Sequence, residues 1–382
     1  MKIETKAIHV GQEPCALTGA VAVPIYQTST YVQPEVGVHL GHEYSRTSNP
    51  TRDALESCLA SLENAEHGLA FASGMAAITT IMALFKQGDH IVCADDVYGG
   101  TFRVFDKIMG HYGLDFSFVD TTNLDAVREA MRPDTRLLWL ETPSNPMLKI
   151  SDISALAEIA HEKDAWLGVD NTFLSPYFQR PLDFGADLVM HSSTKYLGGH
   201  SDVVGGAVVT SHPEIAERLR FNQNSMGAIP GPFDSWLTLR GIKTLGVRLQ
   251  RHEENAQAVV AFLQEHKLVD RIYYPGLSDH PGHEIQCKQA NGFGGMVSLT
   301  LKADLEGTKR FCQSTKLFFL AESLGGVESL LEHPAIMTHA SVPVETRAEL
   351  GILDNFVRLS VGIENQDDLL KDLDQALDSV DN

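Results

Sequence analysis

Lys195 stands in the stretch His191-Ser192-Ser193-Thr194-Lys195-Tyr196-Leu197-Gly198-Gly199-His200, among hydroxyls and glycines and just past the apolar run Asp187-Leu188-Val189-Met190. A similar run, Trp166-Leu167-Gly168-Val169, ends in Asp170-Asn171-Thr172. Two strand-like segments therefore each deliver a charged residue at their C-terminal ends. Open α/β sheets build their sites along that edge. A lysine amine there can form a Schiff base with an aldehyde, and a carboxylate can keep a ring nitrogen protonated. Those are the two tasks that pyridoxal 5′-phosphate sets its protein. The bland alternative is a surface lysine and a strand-end aspartate. Ser192, Thr194 and the pair Gly198-Gly199 tell against it, because an anionic cofactor needs hydroxyl donors and close backbone approach.

The stretch Ala72-Ser73-Gly74-Met75-Ala76 follows a short strand and opens a helix. Free backbone N–H groups and the helix dipole suit an anion there, although a Ser-Gly strand-to-helix turn is common. Ser192 and Thr194 are natural hydroxyl donors to the same phosphate. Asp95-Asp96-Val97-Tyr98-Gly99-Gly100-Thr101 ends another apolar run. A tyrosine in that setting can lie flat on a planar ring, or it can be a boundary residue with a wet hydroxyl. No G-x-G-x-x-G occurs, which disfavours a dinucleotide fold. His283-Glu284-Ile285-Gln286-Cys287 falls one residue short of H-E-x-x-H. His280 and His283, beside Pro281-Gly282, read as turn residues in a wet loop, and no metal is expected. His339 has no identifiable partner in the sequence.

The elements that must position these residues follow from periodicity. Short apolar runs at 69–72, 90–94, 114–119, 136–141, 165–170, 187–191 and 206–210 read as strands. Helical spacing covers 75–86, 101–111, 123–131 and 152–163, and Asn49-Pro50 marks a helix start. That alternation predicts a mainly parallel sheet covered on both faces. Residues 1–46, with prolines at 14, 24 and 34, read as an irregular arm for oligomer contacts. A cofactor-binding domain spans 47–233. Pro230 and Pro232 open a C-terminal domain at 234–382, beginning with one long helix through about 234–265.

The chain has 382 residues and a formal charge of -20, which argues against nucleic acid or an anionic membrane as partner. Its five cysteines show no CxxC pairing and read as reduced thiols of a cytoplasmic protein. No run approaches a membrane span, and the N-terminus has no apolar signal core.

Taken in order, Tyr44-Ser45-Arg46 with Asn49-Pro50-Thr51-Arg52, Ser73-Gly74-Met75, Asp96-Val97-Tyr98-Gly99-Gly100, Glu141-Thr142-Pro143-Ser144-Asn145-Pro146, Val169-Asp170-Asn171-Thr172, Ser192-Ser193-Thr194-Lys195-Tyr196, Leu320-Ala321-Glu322-Ser323-Leu324-Gly325-Gly326 and Arg358-Leu359-Ser360 form one pattern. It resembles the PLP-dependent transsulfuration enzymes of cysteine and methionine metabolism over essentially the whole chain, the cystathionine γ-lyases and γ-synthases most closely. The resemblance implies an α/β protein of PLP fold type I. Its large domain would hold a mainly parallel sheet, with a smaller C-terminal α/β domain.

The resemblance also implies roles. Lys195 resembles the Schiff-base lysine and proton shuttle, Asp170 the ring-nitrogen partner, and Tyr98 the stacking ring. Gly74, Met75, Ser192 and Thr194 resemble phosphate ligands. Tyr44 and Arg46 resemble the pair that reaches the phosphate of a neighbouring subunit in a homotetramer built from dimers. Arg358, with Asn145 and the Ser323 backbone, resembles a clamp on the α-carboxylate of a small amino-acid substrate. Glu43, Arg103 and Glu322 sit where such enzymes handle the distal end of a long amino acid. Methionine γ-lyases usually place cysteine where Gly100 stands, many β-lyases carry aromatics around Glu322 to Val327, and some γ-synthases have arginine where Thr47 stands. Cystathionine γ-elimination is therefore expected, with γ-synthase, then β-lyase or methionine γ-lyase, as alternatives. A non-catalytic PLP-binding protein is the rival from another class.

Overall fold

A computed structural model describes residues 1–340 and 344–380. Seven strands build the larger sheet: β1 (His67–Phe71), β2 (His90–Ala94), β3 (Asp115–Val119), β4 (Thr135–Glu141), β5 (Trp166–Asp170), β6 (Leu188–His191) and β7 (Gly206–Thr210). Their order across the sheet is β1-β7-β6-β5-β4-β2-β3, and only β7 runs antiparallel to its neighbours. Strands β2, β6 and β7 are buried throughout, as a parallel sheet covered on both faces requires. The covering helices start where side chains can cap them. Asn49 accepts the Thr51 amide at the head of α2 (Pro50–Leu62), and Ser73 accepts Ala76 at the head of α3 (Gly74–Met82). Asn123 and Asp152 do the same for α5 (Leu124–Ala130) and α6 (Ile153–His161). Between them, α4 (Gly99–Arg103) continues as a wider π-type turn over Val104–Met109.

Three expectations are corrected. The arm is not irregular throughout: α1 (Ile3–His9) forms at its start and buries Ala7 against α2, because Ile3 and Ala7 share one helical face. Two helices absent from the expected set are the short α7 (Ser175–Phe178), after β5, and α8 (Pro213–Met226), after β7. The long helix through 234–265 is two, α9 (Pro232–Ile242) and α10 (Leu245–Gln264). Arg248 explains the break. Its guanidinium takes the Gly241 carbonyl at 2.9 Å, diverting one helix acceptor to a side chain, and anchors on the Tyr196 carbonyl at 2.8 Å.

The second sheet has the order β10-β11-β12-β9-β8, from β8 (Val269–Tyr273), β9 (Met296–Leu301), β10 (Phe319–Leu320), β11 (Leu330–Glu332) and β12 (Phe356–Ser360). α11 (His283–Gln289), α12 (Leu305–Ser314), α13 (Val344–Leu350) and α14 (Gln366–Leu377) belong to this part of the chain. Leu245 and Leu249 at the start of α10 pack into the core of the large sheet, whereas Ala256, Val259 and Leu263 pack into the second core. The handover between cores thus lies inside α10, past the prolines at 230 and 232.

Candidate active site

The C-terminal ends of β1, β2, β4, β5 and β6 share one edge of the large sheet. β12 brings Arg358 to the same place from the second sheet. Together they enclose a cavity of about 330 Å³. Gly74, Met75, Tyr98, Asn145, Asp170, Ser192, Thr194, Lys195, Glu322, Ser323 and Arg358, all singled out from the sequence, line it.

Lys195 Nζ donates to Ser323 Oγ at 2.7 Å. Burial, reinforced by the Arg358 cation, lowers the lysine to a pKa of about 8. An amine in that range is a competent base near neutrality. Ser323 has φ of 101°, a left-handed conformation costly for a side chain other than glycine. Its strained backbone points its carbonyl at Arg358 Nη2, 2.9 Å away. Arg358 is 2% exposed, and its Nη1 donates to Asn145 Oδ1 at 2.8 Å and lies 3.0 Å from Glu332 Oε1. The guanidinium is thus clamped flat, with its Nε left without a partner among the described residues.

Asp170 ends β5 directly beside Glu141, the last residue of β4. Thr172 donates to Asp170 Oδ1 from both its amide (3.0 Å) and its hydroxyl (2.5 Å). Among the described residues, no donor reaches the second carboxylate oxygen. Burial raises Asp170 above the usual carboxylate range, against the pull of Thr172 and His191. Burial, then Asp170, raises Glu141 further. Glu141 Oε2 accepts the Tyr98 amide at 2.9 Å, which fixes the tyrosine at the head of α4. A side chain at Gly100 would collide with the Tyr98 ring, its Cβ lying 2.4 Å from Cε1, so glycine there sets where the ring lies. Burial also raises the Tyr98 phenol.

At the head of α3, the first amides, Gly74 and Met75, have no acceptor within the helix. A Cβ on Gly74 would lie 3.0 Å from Ser192 Cβ, so the bare backbone makes the close approach possible. The Ser192 hydroxyl has no partner among the described residues. The Thr194 hydroxyl, by contrast, is engaged with the Gly205 carbonyl (3.2 Å) and amide (3.0 Å). A half-satisfied buried carboxylate, a lysine of lowered pKa and an open helix N-terminus fit the ring nitrogen, aldehyde and phosphate of PLP.

Tyr44, Arg46, Glu43 and Arg103 do not line the cavity. Arg46 donates to the Asn224 carbonyl at 2.5 Å and lies over the Tyr44 ring at 5.6 Å. His283 is not in a loop but opens α11, where its Nε2 faces Cys287 Sγ at 3.6 Å. No metal-holding cluster exists among the described residues.

Sequence reasoning gave no role to Glu141, Thr172, Glu332, Thr338 or His339. Glu141 had a readable signal, a carboxylate closing a predicted strand next to Asp170's. Thr172 had another, a hydroxyl two residues past a strand-end aspartate. His339 finds its partners in Thr338 Oγ1 at 2.9 Å and the Asn145 carbonyl at 3.2 Å, and burial lowers it to a pKa of about 4.

The chain matches the family model described as Cys/Met metabolism PLP-dependent enzyme over residues 4–378. It is 55% identical over 380 residues to the cystathionine γ-lyase of Bacillus subtilis, covering 100% of both chains. It is 56% identical over 377 residues to the cystathionine β-lyase of Coxiella burnetii, covering 98% of this chain and 97% of the other. It is 54% identical over 375 residues to the cystathionine γ-synthase of Mycobacterium tuberculosis, covering 98% and 96%. Among solved structures, cystathionine γ-lyase from Lactobacillus plantarum complexed with L-serine superposes with a TM-score of 0.97 at 48% identity, covering 100% of both chains. The chain belongs to the PLP-dependent enzymes of cysteine and methionine metabolism, with their α/β fold, and its cofactor is pyridoxal 5′-phosphate.

Proposed function

We propose that this member of the family is a cystathionine γ-lyase, converting L-cystathionine and water to cysteine, 2-oxobutanoate and ammonia. The observation that carries the reading is Glu322, a carboxylate in the cavity wall that also holds Lys195, Ser323 and Arg358. A carboxylate there pairs with the distal ammonium of cystathionine and would be left unpaired against an apolar tail such as methionine's. Glu43 and Arg103, which the family resemblance assigns to the same distal end, do not line this chain's own cavity, so the reading rests on Glu322.

Lys195 and Asp170 would hold the cofactor at its two reactive ends, Tyr98 would stack on its ring, and Gly74, Met75, Ser192 and Thr194 would hold its phosphate. When bound, it supplies an aldehyde for the substrate amine and a ring that accepts the electron pair left at Cα. Arg358, held by Asn145 and the Ser323 carbonyl, grips the substrate α-carboxylate as a fork. Lys195 Nζ, with its lowered pKa, takes the Cα proton and serves the later transfers at Cβ and the departing sulfur. Tyr98 is a second proton-transfer group near the amine.

We further propose a cytoplasmic homotetramer, a dimer of dimers with shared sites. Its support is the arm, where Leu17, Val21, Val32, Val36 and Leu40 stand exposed, with Tyr44 and Arg46 turned from their own chain's cavity. A γ-synthase is the second reading, favoured by relatives of that name at similar identity. The test compares L-cystathionine with O-acyl-homoserine plus cysteine as substrates of the holoenzyme. 2-Oxobutanoate from cystathionine should dominate. Pyruvate as the main product would make the protein a β-lyase, and no turnover at all would favour the non-catalytic reading.

A further inference from the structure

Glu332 has no part in the roles assigned above, yet it is the carboxylate nearest Arg358. The register of β11 against β12 sets Glu332 directly opposite Arg358, and its Oε1 lies 3.0 Å from Nη1. The pair is almost wholly buried, at 1% and 2% exposure. Thr338 Oγ1 donates to the same Oε1 at 2.8 Å, and Oε2 is buried with no partner among the described residues. One carboxylate thus already neutralises the cation that the proposed function gives to the substrate.

We infer that Glu332 is a proton-taking counter-ion: it balances Arg358 in the free enzyme and takes up one proton from solvent when the substrate α-carboxylate docks on the same guanidinium. The inference rests on the reading of Arg358 as the carboxylate clamp. Two carboxylates on one buried guanidinium leave an uncompensated negative charge, which burial makes costly. Protonation of Glu332 removes it. The other charged or titratable groups that interact with Glu332 include Glu322, which opposes its ionisation, Lys195, which favours it, and the Tyr98 phenol, whose own ionisation Glu332 opposes. Burial is the largest influence and raises Glu332 above the usual carboxylate range. Beyond Thr338 lies His339, neutral near pH 7 with its pKa of about 4.

The hydrogen bonds provide for both protonation states. The single Thr338 hydroxyl proton has two acceptors in reach, Glu332 Oε1 and His339 Nδ1 at 2.9 Å. With Glu332 ionised, the hydroxyl points at the carboxylate. With Glu332 protonated, the carboxyl donates to Thr338 Oγ1 and the hydroxyl turns to His339 Nδ1. His339 Nε2–H meanwhile stays on the Asn145 carbonyl at 3.2 Å, so the relay ends on a residue that also holds Arg358. The added proton therefore strands no buried group.

The test binds butanoate, a carboxylate with no amine of its own to titrate, to the holoenzyme in a calorimeter. Measurements in two buffers of different ionisation enthalpy count the protons taken up. At about pH 8, the unaltered enzyme should take up about one proton per butanoate, and its Kd should weaken about tenfold per pH unit above the Glu332 titration. Glu332→Gln keeps the size and the Thr338 acceptor but carries no charge. It should bind with no uptake, a flat pH profile and a Kd at least about tenfold tighter at that pH. Zero uptake by the unaltered enzyme, or the same uptake in Glu332→Gln, overturns the inference. Arg358→Lys separates the two levels: butanoate binding as in the unaltered enzyme would refute Arg358 as the clamp itself.

Discussion

Asp170→Asn should separate the electron-sink role of this carboxylate from its structural role. Thr172 directs two donors at Oδ1, so an amide at this position must keep its oxygen there. Its NH2 group is then forced into the place of Oδ2, facing the ring nitrogen of the cofactor with a donor. A protonated ring nitrogen would need an acceptor there, which the ionised Asp170 carboxylate would supply and the amide donor would not. Two unit charges about 3 Å apart in an effective dielectric of about 20 attract by about 5 kcal/mol. Losing most of that from the carbanion-forming step lowers turnover by roughly 10³- to 10⁴-fold. Without cofactor the sign reverses. Burial raises the folded-state pKa of Asp170, so this group makes the fold less stable as pH rises from the unfolded carboxylate value through the folded one. The variant lacks that penalty, and its cofactor-free form should melt at or above the unaltered protein at neutral pH. The assays are steady-state 2-oxobutanoate release and thermal melts of cofactor-free protein. Retention of more than about a tenth of the turnover would refute the electron-sink argument, and a clearly lower melting temperature would refute the burial argument.

Borohydride reduction of the yellow holoenzyme followed by peptide mapping should place the label on Lys195, and Lys195→Ala should lose turnover; a label on another lysine would reassign the site. Arg46→Ala should weaken cofactor retention, and mixing it with Lys195→Ala protein should restore part of the activity; no rescue despite demonstrated subunit exchange would count against shared sites. Glu322→Ala should cut γ-elimination from cystathionine more than β-elimination, read as a falling ratio of 2-oxobutanoate to pyruvate. An unchanged ratio would remove Glu322 from the distal contact.

The parts of this site that could be read from the chain are those in which position along a strand decides geometry. Asp170 and Lys195 follow apolar runs, and parallel strands must end at a common edge, so their meeting was implied before any contact was known. The same logic reached Tyr98 and the Gly74 turn. It did not reach Glu332, because nothing near Leu330–Glu332 says that this strand lies against Phe356–Ser360 in a register that opposes a glutamate to an arginine. Antiparallel register is decided by distant partners. The split between α9 and α10 was hidden for a related reason. Periodicity runs through Lys243 and Thr244 unbroken, whereas the Gly241 carbonyl at the end of the first helix is shared by the Thr244 amide and hydroxyl and by Arg248, which also reaches Tyr196.

The electrostatics also bear on how a chain of net charge -20 could hold an anionic cofactor and, on the proposed reading, an anionic substrate group. Neither anion is met by a broad basic surface. On the proposed reading, the phosphate would fall to the amides of Gly74 and Met75 and the hydroxyls of Ser192 and Thr194, which are dipoles and add no titratable charge. The α-carboxylate would fall to Arg358, which is desolvated and held flat on three sides. Such a cation would be costly to bury unpaired, so the free enzyme needs a resident carboxylate beside it. A resident carboxylate that stayed ionised would compete with every substrate. Glu332 would meet both requirements because Thr338 and His339 offer it a way to accept a proton without breaking the hydrogen-bond chain, and on that proposal substrate affinity, rather than the fold, is the property through which this buried pair would sense pH.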